Sequence, residues 1–96
     1  MNQIFKELSL NTDSKLCYIK NDLVKLTKSE FNILNFFLEH RNKIFSREEL
    51  IENIWKESVN GKTVDTAISR LRKKLGEYGK YIVSRNGFGY GFIEEN

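Results

Sequence analysis

Hydroxyl and cationic side chains share one segment of the sequence, residues 61–75, with a regular series of aliphatic residues. The aliphatic residues step by four, three and four positions, the spacing of one face of an α-helix. They are Val64, Ile68, Leu71 and Leu75. At about 100° per residue, Thr66 and Arg70 lie almost opposite this face, and they are flanked by Thr63, Lys73 and Lys74. The pattern predicts a helix that is anchored by its apolar face and turns hydroxyls and cations outward.

An outward face of this kind suits contact with double-stranded DNA. The methyl groups of Thr63 and Thr66 can meet a thymine methyl, and the Arg70 guanidinium can fork onto O6 and N7 of guanine. Lys73 and Lys74 supply point charges for phosphates. A helix face that is merely solvated is the alternative, but such faces more often mix Glu among the Lys, and no Glu occurs in residues 66–76.

The positive charge of the chain is concentrated around this helix. Residues 1–61 hold nine Lys or Arg and nine Asp or Glu, whereas residues 62–85 hold seven against two, and the whole chain carries +3. A neutral body with one basic segment indicates an electrostatic footprint for a polyanion. Asp65 and Arg72 lie near the edge of the apolar face, so we interpret them as members of a cap or an interhelix pair, with Arg72 still able to reach a phosphate.

Composition excludes several other classes of protein. A chain of 96 residues with 40% hydrophobic and 30% charged residues fits one soluble globular domain. No apolar run approaches the roughly 20 residues of a membrane helix, and the start of the chain lacks signal-peptide features. We therefore expect a cytoplasmic protein with no membrane contact.

The residues that most often perform chemistry are scarce. One histidine, His40, and one cysteine, Cys17, leave no catalytic triad and no metal-ligand spacing, so we expect no enzymatic activity, no metal and no cofactor. His40 is interpreted as a helix-end residue. Cys17 is interpreted as a partly buried strand residue, with a redox sensor as the less favoured alternative.

Three zones of secondary structure must position the basic helix. Apolar runs separated by turn-forming residues predict an antiparallel sheet over residues 4–26. Helices are predicted over residues 28–40, 46–55 and 63–75; the first two begin with capping boxes at Thr27 and Ser46, and Gly76 and Gly79 mark the end of the third. A hairpin is predicted over residues 81–93 around Asn86-Gly87, with Phe88, Tyr90 and Phe92 on one strand face. The fold class is α+β: one winged helix-turn-helix domain over residues 1–96, with a sheet, a three-helix core and a hairpin wing.

Four sequence blocks carry a resemblance to a known family. They are "LTKSEFNIL" at residues 26–34, "IFSREELIENIW" at 44–55, "KTVDTAISRLRKKL" at 62–75 and "GFGYGF" at 87–92. Together they resemble the winged-helix DNA-binding effector domain of OmpR/PhoB-type response regulators, the output modules of bacterial two-component phosphorelays. The likeness runs from about residue 5 to residue 92. Each block alone is moderately specific, but four blocks in the same order are strong evidence for the resemblance.

The resemblance implies a four-stranded N-terminal sheet, a third helix in the major groove and a wing at the minor groove. It implies base contacts by Thr63, Thr66 and Arg70. The expected phosphate contacts, which include the two outward lysines, are Trp55, Lys62, Ser69, Arg72, Lys73, Lys74 and Tyr90. Arg85 and Asn86 are the expected minor-groove residues of the wing. The loop expected to contact RNA polymerase consists of Lys56, Glu57, Ser58, Val59, Asn60 and Gly61.

The resemblance also implies partners. Family members bind tandem or direct repeats in double-stranded DNA as head-to-tail homodimers, and a receiver domain is expected upstream in the parent chain, with a free-standing effector as the other arrangement. The chain departs from the family pattern at Lys62 and Ala67, where Arg and His are usual, and the wing arginine, Arg85, stands one position early. A winged-helix module that binds protein through its hairpin or first sheet, without reading DNA, is the alternative function.

Overall fold

The first four strands form an antiparallel sheet in chain order. The computed structural model describes residues 2–95. Within it, β1 (Asn2–Phe5), β2 (Leu8–Asn11), β3 (Leu16–Ile19) and β4 (Asp22–Val24) pair as β1-β2-β3-β4. The expected four-stranded sheet is confirmed, although it begins and ends two residues earlier than residues 4–26.

The turn between β1 and β2 lies inside the run "IFKELSL" at residues 4–10. Phe5 pairs with Leu8, so Lys6 and Glu7 form the connection, and Lys6 has a φ of 54°. No glycine or asparagine marks this turn, which is why the composition did not reveal it. Lys20 and Asn21, between β3 and β4, both have positive φ, as a type I′ hairpin turn requires.

Two of the three helices begin at the predicted capping boxes. Helix α1 spans Lys28–Glu39, and Thr27 and Glu30 exchange the two hydrogen bonds of the box. Helix α2 spans Arg47–Leu50 after the equivalent box of Ser46 and Glu49. The rest of the predicted second helix is a π-helical turn, Ile51–Trp55, which the sequence did not predict.

Helix α3 spans Gly61–Lys74 and begins two residues before the predicted start. Asn60 explains the difference, because its side-chain oxygen accepts a hydrogen bond from the Lys62 N–H at 2.8 Å and caps the helix there. Beyond the C-terminus, Gly76 has a φ of 58°. This left-handed residue is the usual stop after a helix, and it agrees with the predicted end.

A second sheet contains the wing and a strand that the sequence pattern did not predict. Its strands β5 (Ile44–Phe45), β6 (Ile82–Arg85) and β7 (Gly89–Phe92) lie in the order β5-β7-β6. A 3₁₀ turn, Gly76–Tyr81, leads from α3 into β6. Strand β5 has only two residues, too few for a visible alternation, and its partner β7 lies more than 40 residues away. Gly89 and Gly91 permit the pairing, because a Cβ on either would collide with the backbone carbonyl of Phe45 or Lys43.

The wing loop differs from the prediction. Arg85 pairs with Gly89, so Asn86, Gly87 and Phe88 form a three-residue loop rather than a two-residue turn. Phe88 therefore lies in the loop and is 72% exposed, whereas Phe92 is fully buried and Tyr90 is half-buried. The expectation that these three rings share one strand face is wrong for Phe88.

The hydrophobic core lies where the helices meet the two sheets. Helix α1 contributes Phe31, Ile33, Leu34, Phe37 and Leu38, and the first sheet contributes Phe5, Leu8, Leu10 and Cys17. An aromatic cluster closes the base of the wing; the Phe5 ring lies 4.7 Å from that of Tyr81 and 5.0 Å from that of Phe92, both edge-on. None of the helices between residues 2 and 95 has the length and apolar character that a membrane span requires.

Candidate nucleic-acid interface

The apolar face of α3 is buried as predicted, and this fixes the rotation of the helix. Val64, Ile68, Leu71 and Leu75 are at most 2% exposed. The outward residues Thr63, Thr66, Arg70 and Lys73 are all exposed. The four buried residues form the aliphatic seam of α3. Because the seam is completely buried, the hydroxyls and cations are held on the opposite, exposed side of the helix.

Residues of three elements line a shallow groove beside this outward face. Helix α3 provides Lys62, Thr63, Thr66 and Arg70, the π-helical turn provides Trp55, and the start of α1 provides Thr27 and Ser29. Trp55 is half-buried and packs against the core, so its exposed edge borders the groove. The structure thus brings together all three predicted base contacts and two of the predicted phosphate contacts.

The hydroxyls of Thr27 and Ser29 were not predicted to lie at the interface. The capping box at Thr27 located the start of α1, but its distance from α3 depends on tertiary packing.

On the other side of the outward face, Ser69, Arg72 and Lys73 are exposed and line a second shallow surface with Gly76 and Gly79. The remaining predicted phosphate contacts are Lys74 and Tyr90, and both of these side chains have protein partners.

Asp65 joins α3 to α2 and to the wing. Its carboxylate accepts hydrogen bonds from Arg47 Nε at 2.8 Å and Arg47 Nη2 at 3.0 Å, a bidentate pair. It also accepts one from the Tyr90 hydroxyl at 2.6 Å. The interpretation of Asp65 as an interhelix partner is confirmed. Arg47 was missed, although a lone acid beside the core in a basic helix was a signal that a cation must lie nearby.

These contacts lower the pKa of Asp65 and raise those of Tyr90 and Arg47. The hydrogen bonds from Arg47 and then Tyr90 lower the pKa of Asp65. Burial raises the pKa of Tyr90, and its bond to Asp65 adds to that effect. The Tyr90 hydroxyl donates to Asp65 and so holds the wing against α3, while its phosphate contact stays a prediction.

Lys74 differs from its neighbour Lys73 because it reaches a buried carboxylate. Its Nζ lies 2.7 Å from Glu30 Oε1, and Glu30 is 1% exposed. Burial acts to raise the pKa of Glu30, but the bonds from Lys74 and Thr27 outweigh it, and the pKa is lowered. The pair joins the start of α1 to the end of α3. Lys74 is therefore a structural partner of Glu30; its phosphate contact stays a prediction, and the pairing with Glu30 argues against it.

The wing tip and the loop before α3 are both exposed. Arg85 and Asn86 are exposed at the tip and, with Ser46 and Arg47, border a concavity between the wing and α2. The loop begins with Lys56 in the left-handed conformation, at a φ of 59°. Glu57 and Ser58 are exposed, Val59 is half-buried, Asn60 caps α3, and Gly61 is the first residue of α3.

The two residues weighed for other chemistry are structural. Cys17 is 1% exposed, and burial raises the pKa of its thiol to about 11, which disfavours the reactive thiolate. His40 ends α1 and packs on the rings of Phe36 and Phe45. Among residues 2–95, His, Cys, Asp and Glu form no cluster of three or more that could hold a metal ion.

Comparisons with known proteins show which proteins this chain is similar to. The family model described as "Transcriptional regulatory protein, C terminal" matches residues 20–92. Sensory transduction protein BceR of Bacillus subtilis is 41% identical over 90 residues, which cover 88% of this chain and 39% of BceR. Phosphate regulon transcriptional regulatory protein PhoB of Shigella flexneri is 35% identical over 89 residues, again 88% of this chain and 39% of the relative.

A solved structure gives the same result for the fold. The DNA-binding domain of response regulator AdeR, crystallised in complex with an intercistronic region, superposes with a TM-score of 0.85 at 33% identity. The match covers 94% of this chain and 97% of that one. The chain therefore matches a whole domain of AdeR, but it spans only about two fifths of the length of the curated relatives.

Proposed function

Since the chain belongs to the family of C-terminal domains of transcriptional regulatory proteins, the OmpR/PhoB-type response regulators, we propose that it binds double-stranded DNA and regulates transcription as their output domain. The observation that carries the proposal is the α3 surface: a completely buried aliphatic seam holds Thr63, Thr66 and Arg70 outward beside a groove. The family is one of transcriptional regulators and not of enzymes.

In the proposed complex α3 lies in the major groove. Thr63 and Thr66 are near its N-terminal end, where short side chains let the backbone come close to the bases, and Arg70 reads guanine. Lys62, Ser69, Arg72 and Lys73 contact phosphates on the two sides of the groove. Trp55, Thr27 and Ser29 border one phosphate strand, and the wing tip with Arg85 and Asn86 enters the adjacent minor groove.

The test starts with selection of duplexes from a random-sequence library by the 96-residue chain. Fluorescence anisotropy then compares the wild type and Arg70→Ala on the selected duplex, on single-base variants and on random duplex. We expect Arg70→Ala to bind the selected duplex with about 1–3 kcal/mol less binding free energy and to relax the base preference at one base pair. Equal affinity of both proteins for selected and random duplex would contradict the proposal.

Binding as a head-to-tail homodimer on tandem sites is a further part of the proposal. The outer face of the first sheet supports a protein contact, because Ile4, Ser9, Tyr18 and Leu23 pair in one row across its strands. Ile4 is 58% and Leu23 50% exposed. Sedimentation with duplexes that carry one or two selected sites measures the stoichiometry and cooperativity, and independent binding at two sites would count against the dimer.

We also propose a receiver domain in the parent protein and a polymerase contact through residues 56–61. The chain covers 39% of BceR and of PhoB, which leaves room for such a domain in proteins of their length. The exposed loop supports the second contact. Transcription from a promoter that carries the selected site, with Glu57→Ala and Ser58→Ala, tests it: unchanged activation at full DNA binding would remove the loop from the proposal.

A protein-binding module without DNA readout is the second candidate, and the exposed Ile4 and Leu23 in the row across the first sheet favour it. The exposed cations of α3 favour DNA, because a protein-only module has no need of them. The selection experiment separates the two candidates: a protein-only module enriches no sequence.

A further inference from the structure

Phe88 is a large apolar side chain in the loop at the tip of the wing. It is 72% exposed, more than Ile4 at 58% or Leu23 at 50%. Unlike those two residues, Phe88 does not belong to an apolar row, since Arg85, Asn86 and Gly87 beside it are exposed and polar or small. A single projecting ring offers little area for a flat protein contact, but it has the shape of a wedge.

The loop that carries the ring is held in place. The Phe88 N–H donates to the Arg85 carbonyl at 2.9 Å, and Gly87 has a φ of 84°, which closes the turn. Gly89 follows with a φ of 133° and lies against the Phe45 carbonyl, so β7 is held close to β5 from the residue after Phe88. Tyr90 then connects the same strand to Asp65 of α3. The position of Phe88 is thus tied to that of α3.

The charge around the ring indicates what it would contact. Arg85 is the only charged residue in residues 82–92. It is one of the two paired residues that flank the loop, so a cation stands at the base of the turn that carries the ring. An arginine together with a projecting apolar residue is the combination used by proteins that enter the DNA minor groove, where the cation meets the negative potential and the apolar residue unstacks a base step.

We propose that Phe88 is an apolar wedge that inserts at a base step of the minor groove and bends the bound DNA. This rests on the proposed function, with α3 in the neighbouring major groove. Bending by a wedge is cheapest at flexible pyrimidine–purine steps, so the wedge adds a preference for TA or CA steps at the flank of the α3 site. The preference arises from deformability and not from hydrogen bonds to the base edges.

The experiment uses the duplex selected by the wild-type chain, and Phe88→Ala, Phe88→Leu and Arg85→Ala as variants. Anisotropy gives affinity, energy transfer between dyes at the duplex ends gives the bend, and 2-aminopurine at the flanking step reports unstacking. Phe88→Ala is expected to weaken binding by roughly tenfold, as loss of one aromatic base contact would, and to reduce the bend by about 20° or more. Phe88→Leu is expected to keep most of the bend, because leucine is also a wedge residue.

Arg85→Ala is the matched control for charge. It is expected to weaken binding to selected and random duplex alike and to lower the slope of log affinity against log salt by about one, with the bend retained. If the wild type selects and binds a sequence, but Phe88→Ala matches it in affinity, bend and 2-aminopurine signal, the wedge is wrong while the proposed function stands. A Phe88→Ala variant that changes only self-association, measured by sedimentation without DNA, would also overturn the wedge. If the wild type selects no sequence, the proposed function itself fails.

Discussion

Two adjacent lysines show how the structure separates residues that the sequence treats alike. Lys73 and Lys74 both lie on the outward half of α3, but only the ammonium of Lys74 reaches Glu30. Glu30 also accepts from the Thr27 N–H at 2.9 Å, so its buried carboxylate depends on these two donors. Lys74 therefore supports the fold, and Lys73 remains available to a phosphate.

We expect Lys74→Ala to lower the free energy of unfolding by about 1–3 kcal/mol, because it leaves the buried Glu30 carboxylate without its cation. Lys73→Ala is the matched control, with a change within about 0.5 kcal/mol. Urea denaturation measures both. On random duplex the order reverses: Lys73→Ala lowers the salt slope by about one, whereas Lys74→Ala leaves it near the wild-type value. Equal effects of the two substitutions on stability and on salt slope would contradict the assignment.

The elements of the domain are joined at their ends by two acidic side chains. Glu30 connects the start of α1 to the end of α3, and Asp65 connects α3 to α2 and the wing. The pKa of each is lowered in the folded chain. A lowered folded-state pKa gives stability that is present above the unfolded-state value, about 4.3 for Glu and 3.9 for Asp, and is lost as pH falls through the folded value.

The free energy of unfolding is therefore expected to be nearly constant above about pH 5.5 and to fall as the pH drops below about 4.5. Glu30→Gln cannot release a proton, so it should be less stable than the wild type at pH 6 and lose less stability on acidification. Urea denaturation between pH 3.5 and pH 6 measures both slopes. Asp65→Asn is the parallel variant for the second junction. Identical slopes in the wild type and both variants would mean that neither carboxylate carries the acid sensitivity.

At the scale of the whole molecule, the sequence predicted what local periodicity and capping determine. The seam of α3, both capping boxes and the order of sheet, helices and wing followed from spacing and turn chemistry. Strand β5, the π-helical turn and the Lys6–Glu7 turn did not, because they depend on distant partners or on residues that carry no turn signal. The outward residues of α3 could be identified from the helical period alone.

The side-chain partners that join different elements could not be predicted from the sequence. Asp65 was placed correctly beside the core, but nothing in the spacing identified Arg47, which lies 18 residues earlier. Lys74 and Tyr90 carry groups that suit a phosphate, and only the packed structure gives them other partners. Phe88 looked like a strand residue because its alternation with Tyr90 and Phe92 is regular, whereas the actual three-residue loop moves it out of the sheet.

The most direct test of the central claim is a map of amide chemical-shift changes when the ¹⁵N-labelled chain is titrated with a duplex that carries a single selected site, on which the proposed homodimer cannot form. The outward face of α3 should account for the largest changes, at Thr63, Thr66, Arg70 and Lys73, with a second group at the wing tip around Arg85 and Phe88. The buried seam and the outer row of the first sheet should change little. Changes concentrated at Ile4, Tyr18 and Leu23, with α3 unaffected, would contradict the account.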